Sequence, residues 1–143
     1  MVYLIGVNHV VQFGEPSCAT NSQIVREKGA SFKAHVSEMI EKLNIKVLAE
    51  EFNDEAKKRW GVSETTLEHF GKTKREHRFC TPGGPEDIWL SEIEDCKNKN
   101  VLFVCGGDHV EAFCKTLATA GFDVEVAPNS WNISSAEFHF SDP

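Results

Sequence analysis

The chain has 143 residues, with 22 acidic side chains against 15 basic ones and a formal net charge of −7. This length predicts a single domain over residues 1–143, which can bury a core without disulfides or metal ions as supports. The acidic excess argues against a nucleic-acid partner, because such partners require clustered Lys and Arg. No apolar stretch of the sequence approaches the length that crosses a bilayer.

Cysteine usage and the N-terminal residues predict the compartment. The five cysteines include no Cys-x-x-Cys pair, and their odd number does not indicate a disulfide framework. A reducing environment is therefore favoured. The apolar N-terminal run lacks a basic segment and is soon interrupted by Asn8 and His9, unlike a secretory signal peptide. We expect a cytoplasmic protein without a membrane partner, and the oligomeric state stays open.

Two strands and three helices are predicted in the first half of the chain, from apolar periodicity and from helix-capping patterns. In chain order they are the strand Val2–Val7, a helix from the capping pattern Thr20-x-x-Gln23 to Leu43, the strand Ile45–Ala49, a short helix from Asn53 or Asp54 to Trp60, and a second short helix that Thr65 caps.

The second half continues the alternation. In chain order it contains an irregular segment or short strand within Lys72–Pro82, a helix from Pro85 to about Lys97, the strand Val101–Cys105, a helix from Asp108 to Gly121, and the strand Phe122–Val126. This order predicts right-handed crossovers and a three-layer α/β fold, with a mostly parallel sheet of four to five strands and helices on both faces.

Three of the predicted strands end in residues that carry chemistry. In chain order these ends are Gly6-Val7-Asn8-His9, Glu50-Glu51 and Gly106-Gly107-Asp108-His109. The carboxyl ends of parallel strands meet at one edge of a sheet, where such folds bind ligands. We therefore predict that His9, His109 and the glutamates share one cleft, where they can bind a metal ion or transfer protons.

The two glutamates are not expected to act alike. Side chains alternate across a strand, so only one of Glu50 and Glu51 can point into a given cleft. We slightly favour Glu50, because it directly follows the apolar run. The other glutamate would cap a helix or pair with a basic side chain.

The glycines at the strand ends suggest a ligand-binding loop. Gly6 allows a sharp turn before His9, while Gly106 and Gly107 permit positive φ and a close approach of backbone to a ligand. The helix that follows offers N–H groups to an anion and disfavours a charged His109. Asp108 has an ordinary role as the helix N-cap and a less favoured one in ligand binding.

A basic stretch in the middle of the chain is a further candidate for ligand binding. His77 and Arg78 lie in a polar segment that could fold over the sheet edge. There they would supply a third imidazole, or a guanidinium for an anionic substrate. The alternative is an exposed loop without a role.

Taken together, the three strand ends resemble the Gly-x-x-His superfamily, which includes erythromycin esterase, ChaN, TraB–PrgY and Tiki proteins. The resemblance spans Tyr3 to Val126. It implies an α/β fold with its site at the strand carboxyl ends, hydrolysis in some branches, metal dependence in the Tiki branch and haem binding in the ChaN branch. Carried over, His9, His109 and one of Glu50 or Glu51 would be the active-site residues.

The leading expectation is a small hydrolase that acts on a small-molecule substrate, with or without a metal ion. In the metal-assisted scheme His9, His109 and Glu50 would hold one divalent ion of open identity and lower the pKa of its bound water. In the metal-free scheme His9 would be the general base. The rival is a non-catalytic module that binds a small anionic ligand. Haem binding is less favoured, because Tyr3, the one tyrosine, starts a strand at the wrong edge.

Overall fold

A computed structural model describes residues 1–13, 23–73, 75–128 and 131 of the chain. The strands are β1 Val2–Val7, β2 Val47–Glu51, β3 Glu76–Cys80, β4 Val101–Gly106 and β5 Val124–Val126. They form one sheet in the order β3-β2-β4-β1-β5, and every strand pairing is parallel. The central strands β1 and β4 are almost wholly buried, which is why they read as continuous apolar runs.

Helices cover both faces of the sheet. The helices are α1 Gln23–Lys42, α2 Asp54–Trp60, α3 Thr66–Gly71, α4 Glu86–Ile93 and α5 Val110–Thr119. One core packs α1 and α3 against the sheet, and a second core on the other face packs α4 and α5. The three-layer α/β fold is therefore confirmed.

Successive side chains of β2 pack alternately into the two cores. Leu48 belongs to the core on the α1–α3 side, whereas Val47 and Ala49 belong to the core on the α4–α5 side. The same alternation continues through the two glutamates that end the strand. The alternation therefore determines the face of the sheet on which each carboxylate lies.

Several boundaries differ from the prediction. The second strand begins at Val47 rather than Ile45 and extends through Glu51, because its end pairs with both neighbours: Glu51 faces Cys80 in β3 and Glu50 faces Val104 in β4. The segment read as irregular or as a short strand is the edge strand β3. Thr20, the predicted cap of the long helix, lies outside the described residues.

Both short helices of the first half begin at predicted caps. The Asn53 side chain accepts the Ala56 N–H at 2.8 Å and starts α2. Thr65 and Glu68 form a reciprocal capping box at the start of α3, with the Glu68 N–H donating to Thr65 Oγ1 at 3.1 Å. These side chains satisfy N–H groups that a helix start leaves without partners.

The later helices are shorter than predicted because 3-10 turns replace their ends. The segment Glu94–Cys96 follows α4 as a 3-10 turn, and Gly107–His109 forms another before α5. In the described part of the chain no helix combines the length and the apolar character needed to span a bilayer.

The topology places a crevice at the carboxyl edge of the sheet. Strands β1 and β4 are neighbours, yet the chain continues from β1 to the α1–α3 side and from β4 to the α4–α5 side. Connections that leave adjacent strands toward opposite faces open a gap between them, where α/β proteins bind ligands.

Candidate functional site

A cavity of about 610 Å³ lies at the carboxyl edge of the sheet. This volume falls within the range of roughly 300–1,000 Å³ that small-molecule sites occupy. Its lining comes from the ends of β1, β2 and β4, from α2, and from the loop before α4: Val7, Asn8, His9, Val10, Phe13, Glu51, Phe52, Ala56, Arg59, Trp60, Pro82, Gly106, Asp108 and His109. His9, Glu51 and His109 thus share one cavity, although they lie far apart in sequence.

Glu51 joins three segments at the base of the cavity. The side chain is 3% exposed, and its Oε1 accepts the Gly106 N–H at 2.9 Å while its Oε2 accepts the Gly83 N–H at 2.6 Å. The His9 Nε2 atom lies 3.5 Å from Glu51 Oε1. Two backbone donors hold the carboxylate in place beside the imidazole.

His9 is oriented by a neighbour in its own turn. It begins the 3-10 turn His9–Gln12, which Asn8 caps by accepting the Val10 N–H at 3.1 Å. The His9 Nδ1–H donates to Gln12 Oε1 at 2.6 Å. This bond selects the tautomer and leaves Nε2 as the basic nitrogen beside Glu51.

Glu50 points away from the cavity, into the core on the α1–α3 side. Its side chain is fully buried and accepts three hydrogen bonds, from Gln12 Nε2 at 2.9 Å, from Thr65 Oγ1 at 2.6 Å and from His77 Nε2–H at 2.6 Å. The slight preference for Glu50 over Glu51 as the residue in the cleft is therefore wrong, because strand alternation turns Glu51, and not Glu50, toward the cavity. Glu50 reaches His9 only through Gln12.

His109 forms a second oriented imidazole in the same cavity. Its Nδ1–H donates to Glu86 Oε1 at 2.9 Å, and its ring packs edge-on against Trp89 with the ring centroids 5.0 Å apart. The bond from His109 lowers the pKa of Glu86 below its ordinary value. This charge-assisted hydrogen bond holds the imidazole in one orientation.

The Glu86–His109 contact also gives the fold a pH dependence. Because the Glu86 pKa is lower in the folded chain than its ordinary value of 4.5, the contact stabilises the fold above that value. The contribution is lost as the pH falls through the lowered pKa.

Gly106 is required for close approach rather than for positive φ. Its φ is −57°, so the positive φ that glycine permits is not used here. A Cβ atom there would lie 3.1 Å from His9 Nε2 and 3.4 Å from Glu51 Oε1. The absence of a side chain therefore lets the imidazole and the carboxylate reach the strand end.

The other predicted loop residues are divided between two places. Gly6 and Gly107 line a separate depression near α5 and β5, outside the cavity. Asp108 lines the cavity and is exposed. It does not cap α5, because the intervening 3-10 turn makes His109 the N-cap, without a side-chain capping bond.

The basic stretch in the middle of the chain has a structural role. Arg78 forms a bidentate pair with Asp95, with distances of 2.6 and 2.7 Å from its two terminal nitrogens, and also contacts Glu76. The guanidinium holds the pKa of Asp95 well below its usual range. Since Arg78 is engaged there and His77 binds Glu50, neither residue lines the cavity, contrary to the ligand-binding prediction.

The metal set His9, His109 and Glu50 is not brought together. Glu50 lies on the other face of the sheet, and both oxygens of Glu51 already accept backbone N–H groups. Within residues 1–13, 23–73, 75–128 and 131, no group of three or more His, Cys, Asp or Glu side chains is arranged to hold a metal ion. Tyr3 packs in the first half of β1, away from the carboxyl edge.

Three residues at or beside the cavity are assigned no site role by the sequence. Gln12 follows His9 by three positions, a spacing that places both in one turn and could have signalled their contact. Glu86 lies in the first turn of α4, and its partner His109 comes from the turn after β4, far away in the chain. Arg59 reaches the cavity from the last turn of α2, and its sequence position carries no signal for this.

Comparison of the chain with protein-family models, with curated proteins and with solved structures finds no match.

Proposed function

We propose that the cavity is the active site of a small hydrolase in which His9 is the general base and His109 the general acid. The observation that carries the proposal is that two imidazoles, from the turns after β1 and β4, line one cavity, each held through Nδ1 by its own acceptor. Such anchoring fixes the tautomer and leaves each Nε2 for proton transfer.

The different partners of the two rings support this division of labour. Gln12, the partner of His9, is a neutral amide, so it orients the ring without adding a charge at Nδ1. Glu86, the partner of His109, is a carboxylate whose pKa is lowered by this bond, so the acceptor at Nδ1 of His109 carries a charge. Two ionisable groups in unlike environments are a pattern typical of acid–base pairs.

The reaction that fits this arrangement is attack of water on an electrophilic carbon of a small substrate. His9 Nε2 takes a proton from water while the water oxygen bonds to that carbon. The bond to the leaving heteroatom then breaks, and the heteroatom takes the proton of His109. Exchange with solvent restores both rings, so one water is consumed for each bond broken. Glu51, beside His9, stabilises the imidazolium formed in the first step.

The strand-end motifs remain the ground for proposing membership of the Gly-x-x-His superfamily. The motif histidines His9 and His109 line the same cavity as Glu51, which is what that resemblance implies for an active site. We also propose a cytoplasmic location, since the described cysteines Cys80, Cys96, Cys105 and Cys114 are all free thiols.

The proposal is tested by assaying the purified protein on small esters, lactones and amides, followed by the variants His9→Ala and His109→Ala. Each should lower kcat by about 10²- to 10⁴-fold, the usual worth of a general acid or base. The matched control is His69→Ala, because His69 is exposed, pairs with Glu64 and lies outside the cavity. This variant should keep full activity.

Two outcomes would contradict this scheme. Ligands that raise the melting temperature without ever being turned over would make the cavity a binding module. Activity that is lost on chelation and restored by a divalent ion would require metal assistance, whereas the observed donor arrangement predicts activity that survives a chelator.

A further inference from the structure

We infer that the cavity takes a small molecule with an apolar, ring-sized body and an anionic group, and that Arg59 binds the anion. The inference rests on the proposed function for its reaction, since it names the substrate class of the same cavity. For the binding it rests on three observations: an aromatic wall, a basic side chain that has no partner among the described residues, and carboxylates that already accept hydrogen bonds or are exposed.

The aromatic wall lies on the side of the cavity formed by β2 and α2. The ring of Phe13 lies 5.9 Å from that of Phe52 and 6.2 Å from that of Trp60, measured between ring centroids. All three residues line the cavity. They offer an apolar surface to a ligand body and, as rings, favour stacked or edge-on contact with another ring.

The helix α2 carries the anion-binding residue on the same wall. Ala56, Arg59 and Trp60 stand at positions i, i+3 and i+4, which share one face of a helix, and all three line the cavity. The small side chain of Ala56 leaves room between the two larger ones. A ligand that lies against Trp60 therefore places an adjoining polar group near Arg59.

Arg59 is suited to bind an anion because its charge is not used elsewhere. Within the described residues it has no hydrogen-bond or ion-pair partner, and it is the one Lys or Arg that lines the cavity there. A guanidinium binds carboxylate or phosphate through two parallel hydrogen bonds.

The acidic residues of the cavity do not oppose such a ligand at this wall. Both oxygens of Glu51 accept backbone N–H groups and face His9. Asp108 is exposed and comes from the turn before α5, a different segment from the aromatic wall. The cavity thus has a polar, proton-transferring side near the strand ends and an apolar side that ends in a cation.

Binding of phenylacetate, phenylacetamide and acetate, measured by isothermal titration, tests the inference. Phenylacetate and phenylacetamide have nearly the same shape and differ in charge, while acetate lacks the ring. We expect phenylacetate to bind at least about tenfold more tightly than either, because only it engages both the guanidinium and the apolar wall. Phenyl phosphate, used in a parallel titration, shows whether carboxylate or phosphate is preferred.

Two variants separate the two contacts. Arg59→Gln should weaken phenylacetate by about tenfold and leave phenylacetamide unchanged, because it removes only the charge-assisted bonds. Trp60→Leu should weaken both ligands alike, because it removes apolar contact area. Lys58→Gln is the matched control: it removes the same charge from the neighbouring, exposed position, which does not line the cavity.

The outcomes distinguish this inference from the proposed hydrolysis. Equal affinities for phenylacetate and phenylacetamide, or equal losses from Arg59→Gln and Lys58→Gln in variants that melt like the parent, would overturn the inference and leave the histidine mechanism standing. Arg59-dependent binding of phenylacetate in a protein that hydrolyses none of the assayed esters, lactones and amides would uphold the anion site and overturn the proposed function.

Discussion

The two adjacent glutamates show how one position in a strand changes the role of a residue. Glu50 is fully buried and accepts hydrogen bonds from three side chains. Glu51 lines the cavity and accepts backbone N–H groups from the end of β4 and from the loop before α4. A buried carboxylate depends on its donors, and each one removed costs about 1–3 kcal/mol. Glu50 is therefore a structural anchor that positions His9 through Gln12, and Glu51 is the carboxylate of the site.

Gly106 sets how closely His9 and Glu51 approach the end of β4, and Gly106→Ala tests this. The added Cβ would lie 3.1 Å from His9 Nε2, so the half-exposed ring must shift. We expect the free energy of unfolding to fall by only about 1–2 kcal/mol. The displaced imidazole should lower kcat by about tenfold to a hundredfold, with little change in KM. Denaturant unfolding and steady-state kinetics on the same variant measure both quantities.

The control for that substitution is Gly29→Ala in the interior of α1. A Cβ at Gly29 meets nothing within 4 Å, and the residue is helical, so alanine should stabilise the protein by about 0.5–1 kcal/mol. Its activity should equal that of the parent. An unchanged kcat for a folded Gly106→Ala protein would show that catalysis does not depend on the position of the His9 ring beside Gly106.

At the scale of elements, Thr65 connects the start of α3 to the core. Its Oγ1 accepts the Glu68 N–H in the capping box and also donates to Glu50. Thr65→Val keeps the shape but loses both bonds, so we expect a loss of about 2–3 kcal/mol in the free energy of unfolding. Thr65→Ser keeps the hydroxyl and should cost less than about 1 kcal/mol. Urea unfolding curves compare the two variants. Equal losses of stability would mean that the Thr65 hydroxyl does not stabilise the contact between α3 and the core.

The elements also show what could be predicted from the sequence. Apolar runs gave β1 and β4 because buried parallel strands are apolar on both faces, and capping side chains gave the starts of α2 and α3. The half-buried edge strand β3 is ambiguous in the sequence, since its charged residues give no clear period. Its pairing with β2 is a long-range contact that no local pattern encodes.

The same limit applies to the site. Parallel topology was enough to predict that His9 and His109 lie at one edge, since strand direction alone decides it. It was not enough to choose between the glutamates, because a one-residue change in the strand's register exchanges their faces. Nor could it find the pairs His109–Glu86 and Arg78–Asp95, because each joins residues from elements separate in sequence.

At the scale of the whole molecule, the residues that stabilise the fold and the residues of the candidate site lie in different parts of the sheet. The cores between the sheet and its two helix layers are apolar, and the oriented polar groups collect at the carboxyl edge, where the chain leaves β1 and β4 toward opposite faces. The amino edge carries backbone contacts such as the bond from Lys46 N–H to the Asn100 carbonyl at 2.9 Å. Such an arrangement lets the loops around the cavity vary without altering the core.

This separation predicts where a bound ligand slows hydrogen exchange. With phenylacetate at about 100 times its Kd, the folded state should gain about 2.7 kcal/mol. Amides that exchange by local opening should be protected at residues 7–13, 51–60 and 106–109, whose side chains line the cavity. Residues 97–101 and 120–124, at the amino edge, should keep their local exchange rates. Mass spectrometry of peptides from these segments measures the exchange rates, and the Arg59→Gln protein under the same conditions is the control.

Protection confined to the amino edge would place the ligand site at the opposite end of the sheet and contradict the assignment of this cavity.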